Sequence, residues 1–119
     1  MKKLLFIIPV FLFCSHLPAS AQKTPSAKDI EKVLFENSKL KVTEYISSPG
    51  KDVCGKGKHS HGPHLDIAIT DITGVEIGKD GKEVKFTEKA GGVYWNDAVT
   101  HLAFNKGSKP AILYIVEPK

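Results

Sequence analysis

The segment VEIGKDGKEVKF, residues 75–86, has a clear strand–turn–strand pattern. Its two ends, Val75 to Ile77 and Val84 to Phe86, carry β-branched and aromatic side chains, and Gly78-Lys79-Asp80-Gly81 lies between them. An Asp-Gly pair between two such segments is a strong hairpin signal, because glycine readily adopts the positive φ that a tight turn needs. The stretch therefore predicts two antiparallel strands joined by a tight turn.

Segments of the same kind continue on both sides of this hairpin. Asp29 to Phe35 fits either a short helix or a first strand, and Asn37-Ser38 predicts a turn that joins Lys32 to Glu36 with the next segment. The remaining predicted strands are Lys39 to Ile46, Leu65 to Ile72, Val93 to Trp95, His101 to Asn105 and Ala111 to Val116. Roughly seven short strands, with turn signals about every 8 to 12 residues and no long helical pattern, predict an all-β sandwich or barrel.

Two segments differ from this pattern. Lys51 to Lys58 is rich in lysine and glycine and has no apolar periodicity, which predicts a loop that forms no element of the core. Ala111 to Val116 is a continuous apolar run, which is typical of a strand covered on both faces. The cover would come from the core or from a second subunit, so a homodimer is a further expectation.

The N-terminus has the pattern of an export signal. Lys2 and Lys3 precede the uncharged apolar stretch Leu4 to Phe13, and Pro18-Ala19-Ser20-Ala21 supplies small residues at the positions that a signal peptidase reads. The apolar stretch is shorter than the roughly 20 residues that span a bilayer, and no later segment is long enough, so we expect no stable membrane anchor. We predict cleavage after Ala21 and export to the periplasm or out of the cell.

The chain is therefore expected to consist of a signal peptide (1–21), a flexible lead-in (22–31) and one domain (32–119). Of the two cysteines, Cys14 would leave with the signal peptide, so that Cys54 could form no intramolecular disulfide. The chain has 17 basic and 13 acidic residues, and every basic residue is a lysine. Scattered lysines without any arginine argue against nucleic acid as a partner.

Histidines supply the candidate chemistry of the domain. The segment His59-Ser60-His61-Gly62-Pro63-His64 carries three of them, and His101 lies far away in sequence. On an extended strand His59 and His61 would point to the same side, about 7 Å apart. Asp66 follows the Gly62-Pro63 break, so its carboxylate could return to the histidine side. We predict His59, His61, Asp66 and His101 as ligands of a divalent transition metal (iron, manganese, nickel, copper or zinc), because nitrogen ligands suit these ions better than calcium or magnesium.

A simpler interpretation competes with this prediction. Taken alone, a His-x-His segment in a lysine-rich loop is better explained as a solvated polar stretch, because short motifs match by chance. The position of His101 favours the metal site over a solvated polar stretch. His101 lies inside a predicted strand with Asn105 four residues further on, so the two histidine segments could be facing strands of one barrel.

At these residues the sequence resembles the cupins, a family of small β-barrels with two histidine motifs. Gly50, His59, His61, Asp66 and Gly74 stand in the order of the first motif, and Gly91-Gly92, Val93-Tyr94-Trp95, Asn96-Asp97, His101 and Asn105 stand in the order of the second. The resemblance covers Lys32 to Glu117. It implies an all-β, single-domain barrel of the double-stranded β-helix (jelly-roll) type, with a metal held inside by the motif histidines.

The sequence departs from the cupin pattern in ways that concern the ligands. Asp66 stands where the family usually has a longer glutamate, and His64 is an alternative ligand of comparable weight. The spacer between Gly50 and His59 is longer than usual and contains Cys54. Cys54 could be a further ligand or a redox-sensitive thiol, but we favour a plain loop residue, because nothing in the sequence lowers its pKa. The aromatic residues are predicted to pack in the core: Phe86, Tyr94, Trp95 and Phe104.

The resemblance leaves several functions open. The first is an exported metal-binding cupin that acts on a small molecule, with dioxygenase chemistry if the metal is iron, or isomerase or lyase chemistry with manganese, nickel or zinc. The second is a non-catalytic exported cupin that binds a metal, a sugar or another small ligand. The third is a structural protein that dimerises through Ala111 to Val116. The sequence identifies no catalytic acid or base.

Overall fold

The computed structural model of the chain describes residues 29–119, and all its regular structure in that range is β-strand. The described part of the chain contains no helix, and hence none that could cross a membrane. The predicted signal peptide lies outside the described residues. The nine strands are β1 (Ile30–Glu36), β2 (Leu40–Ser47), β3 (His59–His61), β4 (His64–Ala68), β5 (Ile72–Gly78), β6 (Glu83–Glu88), β7 (Val93–Asn96), β8 (Val99–Asn105) and β9 (Ala111–Pro118).

The strands form two antiparallel sheets. One has the order β1-β2-β9-β4-β7 and the other the order β3-β8-β5-β6. In β2, β8 and β9 alternate side chains are buried between the sheets. The most deeply buried apolar residues of the core include Ala68, Ile72 and Ile115. The predicted all-β barrel is confirmed, with more strands than the seven or so expected.

The hairpin predicted from residues 75–86 is confirmed. β5 and β6 pair from Ile72 opposite Glu88 to Ile77 opposite Glu83. The turn closes with a hydrogen bond from the Gly78 amide to the Lys82 carbonyl at 3.0 Å. Toward the N-terminus, the open choice for Asp29 to Phe35 resolves to a strand. β1 begins at Ile30, so the strand includes the last two residues of the predicted lead-in.

The predicted strand Leu65 to Ile72 is in fact divided between the sheets. β4 ends at Ala68 in the five-stranded sheet, and β5 begins at Ile72 in the four-stranded sheet. The chain crosses from one sheet to the other in between, with the Ile69 amide donating to the carbonyl of Ile112 at 2.9 Å. Sequence periodicity alone does not show which sheet a strand joins.

β9 is a central strand, but only one of its faces lies fully in the core. Ala111, Leu113 and Ile115 are buried, whereas the alternate residues Ile112 and Tyr114 are half-buried. The expectation that this run is covered on both faces is therefore not met within one chain, because an antiparallel sheet can leave one face to solvent.

The segment from Lys51 to Lys58 forms no regular strand, as predicted, but two of its side chains lie in the core. Val53 and Cys54 are 3% and 4% exposed and belong to the core cluster. The Val53 amide donates to the Ala103 carbonyl at 2.8 Å, so the start of this segment runs along the end of β8. Backbone pairing to a distant strand buries these side chains despite the polar sequence around them.

The prediction of core packing holds for only some of the aromatic residues. Phe86 and Tyr94 are partly buried and pack against the core, as expected. Trp95 is 57% exposed, so its predicted core role is wrong. It lies on β7, an edge strand, where the alternation that turns Tyr94 inward turns Trp95 outward. The Trp95 indole donates to the Asp97 carboxylate at 3.3 Å.

Candidate metal centre

The pairing of β3 with β8 brings the distant histidines together. His59 lies directly opposite His101 in the register, and His61 lies opposite Val99. The ring centroid of His59 is 4.8 Å from that of His101 and 4.8 Å from that of His61, and the rings of His61 and His101 are 5.7 Å apart. Three imidazoles from two strands thus meet at one point at the edge of the core.

Cys54 joins these histidines. Its sulfur lies 3.5 Å from His59 Nε2 and 3.7 Å from His101 Nε2. Ligand atoms of Cys54, His59, His61 and His101 all lie within 4.8 Å of one another. Among the residues that the structure describes, this is the group of histidine, cysteine and carboxylate side chains whose geometry suits a metal ion.

Two glycines shape the loop that places Cys54 beside β3. Gly55 and Gly57 have positive φ values of 66° and 58°, which other residues rarely adopt. A Cβ at Gly55 would lie 2.7 Å from ring atoms of His59, so only glycine lets the loop pass this close to the imidazole. At Gly57 nothing lies within 4 Å of such a Cβ.

The second ring nitrogen of each imidazole faces an acceptor. His59 Nδ1 donates to the carbonyl oxygen of Gly57 at 2.8 Å, and His61 Nδ1 donates to Glu117 Oε1 at 3.2 Å. His101 Nδ1 lies 3.2 Å from Glu76 Oε1, although the pair is not aligned as a hydrogen bond. Donation from Nδ1 leaves the lone pair of a neutral imidazole on Nε2, which is the arrangement found around metal-bound histidines.

The protonation states of these residues also suit a metal. Burial lowers the pKa of His61 and of His101, against the opposing effect of Glu117 and Glu76 respectively, and so favours the neutral, ligating imidazole. Burial, and then the negative charge of Asp66, raises the pKa of the Cys54 thiol far above its usual range. Without a metal Cys54 is therefore a neutral thiol, which is a poor nucleophile.

The side-chain hydrogen bonds of this group are incomplete without a cation. His61 Nε2 is buried and has no hydrogen-bond partner. The single thiol proton of Cys54 can serve only one of the two Nε2 atoms beside it. Buried polar atoms are nearly always paired, so converging lone pairs without donors fit a site built for a metal ion.

Asp66 and His64, the other predicted ligands, are not part of this group. Asp66 Oδ2 accepts a hydrogen bond from Asn96 Nδ2 at 2.8 Å, and Oδ1 lies 3.5 Å from His64 Nε2. His64 Nδ1 donates to the carbonyl of Gly62 at 2.7 Å. The structure therefore brings together His59, His61 and His101 from the predicted set, adds Cys54, and leaves Asp66 and His64 beside them.

A cavity of about 330 Å³ adjoins the group. Cys54 and His101 lie in its wall, together with three carboxylates, Asp66, Glu76 and Glu88. Burial raises the pKa of Asp66 above its usual value. Burial, followed by the charge of Asp66, raises the pKa of Glu88 to about 7. The cavity thus combines the candidate metal group with carboxyl groups that can exchange protons near neutral pH.

Solved structures share this arrangement of two sheets, although neither a protein-family model nor a curated protein matches the chain. A cupin domain from Bordetella pertussis Tohama I has a TM-score of 0.69 at 24% identity, covering 76% of this chain and 93% of that one. An RmlC-like cupin from Methanocaldococcus jannaschii, described as a double-stranded β-helix, has a TM-score of 0.61 at 15% identity, covering 81% and 84%. The chain has the cupin fold.

A third structure with similarity to this cupin fold is the polyketide cyclase RemF from Streptomyces resistomycificus. Its TM-score is 0.56 at 15% identity, covering 74% of this chain and 63% of RemF. At such identities the likeness shows the fold, and any activity of this chain has to be argued from its own site.

Two positions of the predicted cupin motifs support the barrel and do not belong to the metal group. Asn105 is buried, and its Nδ2 donates to the carbonyl oxygens of Ser47 and Lys109, both at 3.0 Å. At Gly74 an added Cβ would collide with the ring of Phe86 on the neighbouring strand. Their spacing in the motifs therefore reflects packing within the cupin barrel.

Sequence reasoning did not assign the roles that the structure suggests for Cys54 and Glu88. For Cys54 the available signal was the long spacer before His59, with Gly55 and Gly57 able to bend the chain back. For Glu88 there was no local signal. Its position in the cavity wall depends on the register of β6 and on the shape of the cupin barrel.

Proposed function

We propose that this chain is an exported cupin that binds a divalent transition metal through His59, His61 and His101 and acts on a small molecule in the adjoining cavity. The observation that carries the proposal is the convergence of the three imidazoles, whose ligand atoms lie within 4.8 Å of one another while their Nδ1 atoms face acceptors. The pattern of residues 1–21 supports export.

The cavity supports action on a small molecule. His101 belongs both to the metal group and to the cavity wall, so a ligand in the cavity would lie next to the ion. A divalent metal there would supply a Lewis acid that polarises an oxygen of the ligand. A volume of about 330 Å³ is at the lower end of the range typical of small-molecule sites.

Proton transfer is the chemistry that the carboxylates favour. Glu88, with a pKa of about 7, is present in both protonated and ionised forms at neutral pH and can therefore either give or take a proton. Asp66 is held by Asn96 on one side and lies beside His64 on the other. Among the reactions considered, this arrangement supports isomerase or lyase chemistry over oxygen chemistry.

A non-catalytic metal-binding cupin is the second candidate, and Cys54 favours it. With Cys54 included, the protein itself offers four donors, and four protein ligands are typical of closed, structural metal sites. The two functions differ in whether the metal-loaded protein turns over any small molecule. Metal retained without proton exchange or bond cleavage in a panel of small hydroxy and keto acids and sugars would favour binding alone.

The metal assignment is tested by elemental analysis of protein produced through an export pathway. We expect about one metal ion per chain in the natural sequence and almost none in the His59→Ala, His101→Ala double variant. His64→Ala is the matched control, since it removes a neighbouring buried histidine outside the group, and it should keep its metal. Equal metal in the natural protein and the folded double variant would refute the site.

Export is tested on the same preparation by mass spectrometry. A mature chain that begins at Gln22 is expected, and an intact N-terminus in fractionated cells, with the protein in the cytoplasm, would contradict the localisation.

A further inference from the structure

We propose that Cys54 is the fourth ligand of this metal and that the centre, one thiolate with three imidazoles, is built for copper or zinc. This inference rests on the proposed metal function and adds a fourth protein ligand to the site, which favours the second candidate, metal binding without turnover. It replaces the expected carboxylate ligand, Asp66, by a sulfur ligand. It also narrows the candidate metals from iron, manganese, nickel, copper and zinc to copper and zinc.

The distances fit a tetrahedral site that includes sulfur. With Zn–S bonds of about 2.3 Å and Zn–N bonds of about 2.0 to 2.1 Å, tetrahedral geometry places sulfur and nitrogen about 3.5 Å apart. The sulfur of Cys54 is 3.5 Å from His59 Nε2 and 3.7 Å from His101 Nε2. An ion can therefore be held between these atoms with little movement of the side chains.

The loop holds the sulfur in this position. Cys54 is 4% exposed, and the backbone on its N-terminal side is fixed to β8 by the hydrogen bond from Val53 to Ala103. On its C-terminal side, Gly55 passes directly against the ring of His59. The thiol is thus aimed at the imidazoles by backbone contacts on both sides, which a loop residue without a role would not need.

Binding of the metal by Cys54 involves no change of oxidation state. The Cys54 S–H bond breaks as the sulfur–metal bond forms, and the proton passes to solvent. The metal takes the place of that proton and gives partners to His59 Nε2, His61 Nε2 and His101 Nε2 at once. A single thiol proton could not do this.

The donor set selects the metal class. Thiolate and imidazole ligands in a tetrahedral arrangement suit copper and zinc, whereas nickel favours square-planar sites of nitrogen and oxygen ligands. Manganese prefers carboxylate and water, and non-haem iron sites typically include a carboxylate. No carboxylate belongs to the group within residues 29–119. Asp66 accepts a hydrogen bond from Asn96. Glu76 faces Nδ1 of His101, and Glu117 faces Nδ1 of His61.

The test uses Co²⁺ as a spectroscopic probe for the zinc state, in the full chain carrying Cys14→Ser. Cys54 is then the only thiol of the chain, so any sulfur-to-cobalt charge-transfer absorption belongs to it. We expect this absorption to appear on titration with Co²⁺ and to be displaced by Zn²⁺. Adding Cys54→Ser should abolish it while the three histidines still bind cobalt more weakly.

Metal preference gives a second readout. Loss of a residue that hydrogen-bonds to a metal ligand lowers metal affinity roughly 10- to 100-fold, so loss of the ligand in Cys54→Ser should lower zinc affinity by at least as much. The same substitution should lower manganese affinity much less. Cys54→Asp should shift the zinc-to-manganese ratio further toward manganese. Circular dichroism establishes that each variant is folded.

X-ray absorption of the zinc-loaded Cys14→Ser chain needs no substitution at Cys54. We expect one sulfur at about 2.3 Å together with nitrogen neighbours. Binding of Co²⁺ and Zn²⁺ without charge-transfer absorption and with nitrogen and oxygen neighbours only would overturn the inference and leave the proposed metal site standing. Failure of the folded chain to bind either ion would overturn both.

Discussion

At the scale of single residues, Glu117 determines how His61 is oriented. One carboxylate oxygen accepts from His61 Nδ1 at 3.2 Å, and the other lies 2.9 Å from the Lys41 ammonium. Burial alone would raise the pKa of Glu117, but the hydrogen bonds from Lys41 and His61 outweigh it and lower the pKa. Glu117 therefore stays ionised and holds the proton of His61 on Nδ1.

Replacing Glu117 tests this orienting role. We expect Glu117→Gln to lower the affinity for zinc roughly 10- to 100-fold, because the amide no longer fixes the His61 tautomer. Isothermal titration with zinc measures the change. Lys41→Met is the control, since it removes the other partner of Glu117 and leaves the contact with His61. If the two variants bind zinc equally well, Glu117 has no such role.

Glu88 gives a prediction about pH. Its pKa rises from 4.5 to about 7 on folding. Between pH 4.5 and pH 7, therefore, Glu88 is protonated in the folded protein and ionised in the unfolded chain. The free energy of unfolding due to this group therefore falls as pH rises from about 4.5 to 7. Glu88→Gln removes this dependence, and its stability relative to the natural protein should increase across that range.

The measurement is urea unfolding of metal-free protein at intervals from pH 4.5 to 8. Glu83→Gln, an exposed position on the same strand, is the control and should track the natural protein. A constant difference between Glu88→Gln and the natural protein at all pH values would contradict the raised pKa.

At the scale of elements, β8 positions the residues of the metal group. Its edge pairs with β3 from Val99 to His101, and further along, Ala103 and Asn105 bond to the segment from Gly50 to Val53. Two pieces of chain thus lie in line along one strand edge, and the loop between them carries Cys54 toward His59 and His101.

The glycines of that loop allow a matched comparison. Gly55→Ala and Gly57→Ala introduce the same backbone strain, since both residues have positive φ, but only the first places a methyl group 2.7 Å from His59. We expect Gly55→Ala to lower zinc affinity about 10-fold or more, like other changes that displace a ligand, and Gly57→Ala to do so far less. Equal losses would mean that backbone strain alone is responsible.

The same elements show what the sequence could predict. The β5–β6 hairpin was predictable because its turn chemistry is local, at Gly78 to Gly81. The meeting of His59 with His101 followed from the resemblance to cupins. The position of Asp66 did not follow, because Gly62-Pro63 passes the chain from β3 in one sheet to β4 in the other. The alternation of side chains along a strand therefore does not predict which residues share a face on the two sides of such a crossing.

Cys54 could not be placed for a related reason. Its burial depends on backbone hydrogen bonds from Gly50 and Val53 to residues of β8 some fifty positions away. No periodicity within the polar loop reports such pairing, whereas the hydrophobic pattern of β9 is visible in its own sequence.

At the scale of the whole molecule, the hydrogen bond between His61 and Glu117 links the metal group to the second sheet. His59, His61 and His101 lie on the four-stranded sheet, as does Glu76, whereas Glu117 reaches His61 from β9 of the five-stranded sheet. Occupancy of the site should therefore stabilise the barrel as a unit. A metal that binds only the folded state raises the free energy of unfolding by about 2.7 kcal/mol at 100 times its Kd.

Metal removal tests this coupling. Addition of a strong chelator should lower the Tm of the loaded protein, and addition of zinc should restore it in a concentration-dependent way. The His59→Ala, His101→Ala variant should melt at one temperature with or without zinc. A Tm that does not respond to zinc in the natural protein would show that the ion does not bind the folded barrel preferentially.

The most direct measurement is the anomalous scattering of a crystal of the zinc-loaded protein, recorded on both sides of the zinc absorption edge. We expect one strong peak bonded to the Nε2 atoms of His59, His61 and His101. A peak held by Asp66 and His64, or no peak among the three imidazoles in a protein that contains zinc, would contradict it.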